Sequence, residues 1–217
     1  MTGYDLEHAD EFVADYDNSA LRYGWHTPEV LFGLMHHRLA PGQSVLDLGI
    51  GTGLSAVPFA KAGLEVYGLD GSQKMLDRCA AKCIAAQLRK HDICAAPIPY
   101  GDNSVDHVVA SGVFHLIGEL GELFCEAARV MRGDGAFGFS LEVLESGRIS
   151  EGKLSGDGVL ETRNEKSGVI AYLHSHSLIE DLVNRAGLEI EKTLDYVAYR
   201  KTDWADERSF RAYVACS

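Results

Sequence analysis

The sequence predicts a doubly wound α/β domain, a seven-stranded, mostly parallel sheet with one antiparallel strand and helices on both faces. Three observations predict it. Short apolar runs alternate with helical stripes from Ser44 onward, the pattern of repeated strand-helix crossovers, and two closing strands follow. One run, Val45 to Gly53 (V-L-D-L-G-I-G-T-G), passes from a buried strand into a glycine-dense turn. About 20 residues past that turn a second run, Leu64 to Leu69, ends on Asp70, where such folds place an acid against ribose hydroxyls.

Composition sets the outer bounds. A chain of 217 residues, 46% hydrophobic and 24% charged, is long enough for one well-buried core. A formal net charge of -12 and a pI near 5.1, with no Lys/Arg run, argue against a surface that tracks nucleic-acid phosphates. The five cysteines are odd in number and scattered, which fits no disulfide framework and predicts a reducing, cytoplasmic setting. Cys79 and Cys83 stand one turn apart, but no second Cys/His pair lies at zinc spacing, so no metal is expected and they read as core packing. The start of the chain is acidic and polar, unlike a signal peptide, and no run approaches the ~20 apolar residues of a membrane span.

Residues 1–43 read as a helical lid on a core of 44–217. Phe12, Val13 and Tyr16 give a marginal amphipathic helix from Leu6 to about Arg22. Thr27 as N-cap and Pro28 as first helical residue then start a helix to about Leu39. Tyr16, Tyr23 and Trp25 cluster before it and read either as hydrophobic staples or, as a group, as the lid of a ligand pocket.

Ser44 to Leu48 is the first strand. In the loop after it Gly49, Gly51 and Gly53 alternate, freeing the backbone and removing Cβ atoms from the approach of a ligand. A helix from Leu54 to Ala62, closed by Gly63, turns unpaired N–H groups toward that ligand. Asp47, Gly49, Gly51, Gly53 and Asp70 thus form one constellation. After Gly71, Ser72 caps a helix with the stripe Met75, Leu76, Cys79, Ala80 and Cys83. A weaker strand, Gln87 to Lys90, leads to Asp92, which can accept from the exocyclic amine of adenine while the Ile93 N–H donates to a ring nitrogen; an Asp also caps turns unaided. A dinucleotide fingerprint needs its third glycine where Leu54 stands, and no Tyr is followed four places later by Lys, so an NAD(P)H reductase loses ground. The motif D-L-G-I-G-T-G with an acidic strand end resembles the class I S-adenosylmethionine (SAM) methyltransferases, in which the segment G-S-Q-K-M-L, with Gly71 and Met75, also has its counterpart.

The next strand, Val105 to Ala110, runs into Ser111 to Leu116, which in the methyltransferase pattern lies across from the glycine loop. The resemblance makes Ser111 a partner of the methionine amino group. His115 is the candidate general base, its reference pKa of about 6.5 leaving a neutral imidazole, with simple packing at a helix entrance as the alternative. A helix from Leu120 to Met131 and a strand from Ala136 to Leu141 follow. Glu142 lies past that strand on the ligand side of a parallel sheet, though an exposed glutamate explains it as well. Ser146 to Gly168 reads as an inserted loop or hairpin with Val169 to Leu173 as return strand, an insertion spanning about 146–173. Ser177 and Glu180 stand at capping-box spacing, with His174 and His176 as solvated cap residues, and strands at Leu188 to Arg200 and Phe210 to Ala215 close the chain.

More narrowly, Tyr16-Asp17, Y-G-W-H-T-P-E, F-S-L-E and Y-L-H-S resemble the methyltransferase-like group of the Williams-Beuren syndrome region and predicted TPR-linked methyltransferases, without TPR repeats here. The resemblance implies SAM as cofactor, S-adenosylhomocysteine as product and in-line methyl transfer governed by orientation. It implies cofactor contacts at Asp47, Gly49, Gly51, Gly53, Asp70, Gly71, Met75, Asp92, Ile93 and Ser111, and His115 as base. Acceptor-pocket candidates are Tyr16, Tyr23, Trp25, Glu142, Tyr172 and His174. Without N-P-P-Y, D-P-P-Y or Pro-Cys, and with an acidic balance, a small-molecule acceptor is expected, with no nucleic acid and no membrane. A non-catalytic SAM-binding or scaffold protein is the alternative.

Overall fold

The structure, a computed structural model, describes residues 15–142, 144, 153–154, 158–163, 168–200 and 207–217. Its strands are β1 (Ser44–Leu48), β2 (Glu65–Asp70), β3 (Gln87–Lys90), β4 (His107–Ala110), β5 (Phe137–Glu142), β6 (Lys153–Leu154), β7 (Val159–Arg163), β8 (Ile170–His174), β9 (Glu189–Arg200) and β10 (Glu207–Cys216). The helices are α1 (Tyr16–Arg22), α2 (Thr27–Met35), α3 (Val57–Lys61), α4 (Gln73–Ala81), α5 (Gly121–Val130) and α6 (His176–Arg185). Seven strands make one sheet in the order β3-β2-β1-β4-β5-β10-β9, in which β10 alone runs antiparallel to its neighbours.

Every residue of β1, β4 and β5 is buried, because both faces of the sheet are covered. Along β1 alternate side chains serve opposite cores. Val45 packs with Leu31, Met35, Phe59 and Leu76 from α2, α3 and α4, while Leu46 and Leu48 join Phe124, Val130, Ile179 and Val183 from α5 and α6. The order reverses at β1 and β4, so their carboxyl ends diverge and open the crevice in which such sheets bind ligands.

Several boundaries differ from expectation for local reasons. Helix α2 begins at Thr27 with His26 as N-cap, because the Thr27 hydroxyl is buried and accepts from Tyr196 Oη at 2.9 Å; after Met35 it tightens into a 3₁₀ turn, His36–Arg38. Regular helix after the glycine loop starts at Val57 rather than Leu54, since Gly53 N and Ala56 N are drawn into successive turns closing on Ile50 O and Gly53 O. Ser175, not Ser177, caps α6, accepting from Leu178 N at 3.3 Å. The insertion forms an antiparallel sheet in the order β6-β7-β8, and β8 packs against β5 and a 3₁₀ turn at Phe114–Leu116. Phe12 and Val13, residues 146–152 and the turn before β10 lie outside the described residues. Helix α1 buries no side chain.

Candidate functional site

The glycine loop is tied first to its own chain. Gly49 N and Ile50 N both donate to Leu69 O at 2.9 Å, which sets the end of β1 against the end of β2. Gly51 N donates to Asp70 Oδ2 and Ser72 N to Asp70 Oδ1, each at 2.8 Å, so one carboxylate holds two turns together. The Ile50 side chain, 2% exposed, drops into the space left by Gly68. The amides expected to face a ligand are therefore largely spent inside the fold, and the short helix behind them adds little dipole. Gly49, at φ +74°, is required on two counts: the left-handed backbone, and Val113 Cγ2 standing 2.7 Å from where a Cβ would be.

Above this loop lies a hollow of about 610 Å³ whose walls include Tyr16, Trp25, Gly51, Thr52, Met75 and Ser111. A second hollow of about 400 Å³, lined by Gly71, Asp92, Ile93 and Cys94, continues from it, and the two share Gly49, Asp70, Val113 and Leu116. Asp92 is exposed there and accepts from Cys94 N at 3.0 Å, capping its own turn while facing the hollow. Ser111 Oγ is buried with no hydrogen-bond partner among the described residues. Trp25 stands against Gly112, where a Cβ would be 2.5 Å from its ring. Burial raises the Asp70 pKa, its amide bonds opposing the rise.

Two expected cofactor residues stand off the hollow. Gly53 is turned away, its missing Cβ 2.6 Å from Cys79 Sγ. Asp47 is 0% exposed beneath the loop; its Oδ2 accepts the Ser55 hydroxyl and its Oδ1 has no partner among the described residues. Burial lifts its pKa to about 7, with Ser55 opposing and Asp70 reinforcing. Tyr23 also stands off the hollow; its carbonyl accepts from Arg200 N at 3.0 Å. Sequence reading missed Thr52 and Asp17: Thr52 Oγ1 donates to Asp17 Oδ1 at 2.5 Å, and Asp17 Oδ2 pairs with Lys82 at 2.6 Å, fastening α1 over the loop. The Tyr-Asp dipeptide was the available signal.

His115, Glu142, Tyr172 and His174 gather in a second place. The His115 ring meets Phe210 edge-on at 5.4 Å, and Phe210 meets Trp25 at 5.7 Å, so one ring separates the histidine from the wall of the hollow. His115 Nδ1 is buried without a partner among the described residues, and burial holds its pKa down at about 4 against the pull of Glu142. Glu142 is buried, not exposed, at 4%, because Arg208 Nη1 reaches it at 3.2 Å from the start of β10. His174 is also fully buried rather than solvated: β7 covers it in register with Val159. Its Nε2 lies 3.4 Å from Gly118 O, and burial lowers its pKa to about 4. Tyr172 covers Gly118. No sequence signal pointed to Arg208 or Phe210. Among the described residues no group of three His, Cys, Asp or Glu is placed to hold a metal, and no helix is long and apolar enough to cross a membrane.

Residues 46–139 match the family model described as a methyltransferase domain. Over 100 residues the chain is 37% identical to a demethylmenaquinone methyltransferase of Renibacterium salmoninarum, 44% of this chain against 39% of that one. It is 35% identical over 101 residues to an uncharacterized methyltransferase of Synechocystis, 46% of this chain and 47% of that one. The chain thus spans less than half the length of these curated relatives. In three dimensions it is similar to the methyltransferase in a complex with the Haloferax volcanii Trm112 methyltransferase activator, with TM-score 0.73, 21% identity and coverage of 96% and 98%. It is also similar to the [4+2]-cyclase SpnF, with TM-score 0.67, 18% identity and coverage of 88% and 81%. Likeness at such identities establishes the shared fold.

Proposed function

We propose that the chain, whose residues 46–139 match a methyltransferase domain, is a class I SAM-dependent methyltransferase that transfers the methyl group of SAM to a small-molecule acceptor. The observation that carries this reading is the continuous pair of hollows with Asp70 and Asp92 at successive strand ends and the buried, unpartnered Ser111 hydroxyl at the far side. These residues fit the cofactor. Each Asp70 oxygen accepts one amide and keeps a lone pair for a ribose hydroxyl, Asp92 and Ile93 edge the space for an adenine, and Ser111 lacks the polar partner that a methionyl group provides. When bound, SAM supplies a methyl already activated by its sulfonium.

The chain's own part is orientation and exclusion of water. Tyr16 and Trp25 wall the acceptor side of the larger hollow, with α1 as part of the lid. Tyr172, His174 and Glu142 surround His115 behind Phe210, and we assign His115 as the base when an acceptor must lose a proton. Its depressed pKa leaves it neutral but weak, which matches an acceptor whose proton is already labile. A small acceptor accords with the demethylmenaquinone in one relative's name. Within the superfamily, Tyr16-Asp17 and Y-G-W-H-T-P-E support a reading as a member of the Williams-Beuren region group, and these segments supply Trp25 on the wall of the hollow and Asp17, which holds Thr52.

Calorimetry of the full chain with SAM, S-adenosylhomocysteine and NADPH in parallel tests the reading. Binding of the two adenosyl compounds alone is the expected result. NADPH binding, or a folded protein that takes none of the three, overturns it; adenosyl binding without turnover across acceptor classes would leave a non-catalytic SAM-binding protein.

A further inference from the structure

Asp47 is the one buried carboxyl beneath the hollow that the proposed chemistry does not use. Its Oδ1 lacks a partner among the described residues, and four amides of the loop above are committed elsewhere. Gly49 N and Ile50 N go to Leu69 O, Gly51 N to Asp70, and Gly53 N to Ile50 O. Ser55, which lines the hollow, donates to Oδ2 and is the link between Asp47 and whatever lies above.

The charges nearby make full ionisation costly. From the neighbouring elements, β2 contributes Asp70, α1 contributes Asp17, α4 contributes Cys79, and the one ammonium is Lys82, paired with Asp17. Three carboxyls share one cation around Cys79. Two buried carboxylates held close in low dielectric do not both ionise readily, and the one with fewer hydrogen bonds retains its proton. Asp70 accepts two amides and Asp47 one hydroxyl, so the proton belongs on Asp47. Burial raising the Asp47 pKa to about 7 agrees with that assignment.

We propose that Asp47 is a proton-linked counter-charge for the cofactor: a neutral acid in the free protein, it releases its proton to solvent when the cationic methionyl end of SAM enters the hollow. The proposal rests on the SAM reading above. It adds that cofactor loading is pH-dependent with a fixed sign. Below the Asp47 pKa, binding must first ionise the group, so affinity falls up to about tenfold per pH unit of acidification, and above it the dependence flattens. The ligand's own α-amino group titrates near pH ~8 with the opposite sign, so measurements belong below about pH 7.5.

The test is calorimetry of the full chain with SAM, S-adenosylhomocysteine and adenosine between about pH 5.5 and 7.5, in buffers of contrasting ionisation enthalpy. SAM is expected to release close to one proton per site at the acid end and to bind about tenfold more tightly at the alkaline end. Adenosine, without a methionyl end, is expected to release none. Asp47→Asn should bind SAM with no proton release and a flat pH profile, and Ser55→Ala, which removes the bond that favours the anion, should move the bend to higher pH even if Asp47→Asn does not fold. SAM binding with no proton exchange and equal affinity across the range overturns the proposal, as does an equal proton release with adenosine. Failure of SAM and S-adenosylhomocysteine to bind at any pH instead removes the cofactor reading beneath it.

Discussion

The hollow above the glycine loop and the cluster around His115 sit at the same carboxyl end of the sheet, yet they satisfy their polar groups differently. Around the hollow, Asp70 accepts from Gly51 N and Ser72 N, and Asp17 joins Thr52 to Lys82, so a few neighbouring turns close on one another. His115 stands in the turn after β4, where β5 brings Glu142, β8 brings His174 and β10 brings Arg208 and Phe210, and the imidazoles of His115 and His174 each keep an unpartnered Nδ1 among the described residues. Backbone amides and one ion pair tie the first region into a preorganised cradle; the second is a buried polar cluster packed behind Phe210.

Substitutions can break that contrast, beginning where the effect is largest. Phe210→Ala removes the ring between Trp25 and His115 from a site only 4% exposed, and should cost about 3–5 kcal/mol in denaturant unfolding. A loss under about 1 kcal/mol would mean that the cluster is not packed through Phe210. Asp70→Ala unties both turns as well as the ligand contact and should weaken SAM binding by about 2–4 kcal/mol by calorimetry; unchanged affinity would remove Asp70 from the site.

The pH dependence of stability sharpens the contrast, because the two regions carry opposite signs. His115 is held near 4, below its unfolded value, so it stays neutral in the fold while the unfolded chain takes up a proton; stability is lost as pH falls from about 6.5 toward 4. Asp47 is held near 7, above its unfolded value, so over the same range it costs stability as pH rises. Urea unfolding from pH 4 to 6.5 should therefore climb more shallowly for His115→Phe and more steeply for Asp47→Asn, each by about 2 kcal/mol over the range. The same slope in both variants would show that neither group titrates as its surroundings dictate. Smallest is Thr52→Val, which breaks the bond to Asp17 at about 1 kcal/mol and should speed SAM dissociation several-fold in stopped flow while lowering unfolding stability by no more than that.

The same contrast explains what the sequence disclosed. The strand positions, the loop and the placing of Asp70, Asp92 and Ser111 at strand ends are legible because the fold builds that crevice from contiguous strand-to-helix turns, where spacing carries the geometry. Glu142 and His174 read as solvated because nothing local shows that Arg208, 66 residues on, reaches the first, or that β7 covers the second. Asp47 stands in the motif but beneath the loop, a displacement in depth that a linear pattern does not encode.

Helix α1 ends as the least invested part of the molecule: none of its side chains enters the core, and Leu21 stands 83% exposed. Its sequence can therefore drift with little penalty to folding, while Tyr16 still contributes to the wall of the hollow. If Tyr16 meets the acceptor as proposed, selectivity and foldability are carried by different stretches of the chain, and the first can change while Asp17 stays in place.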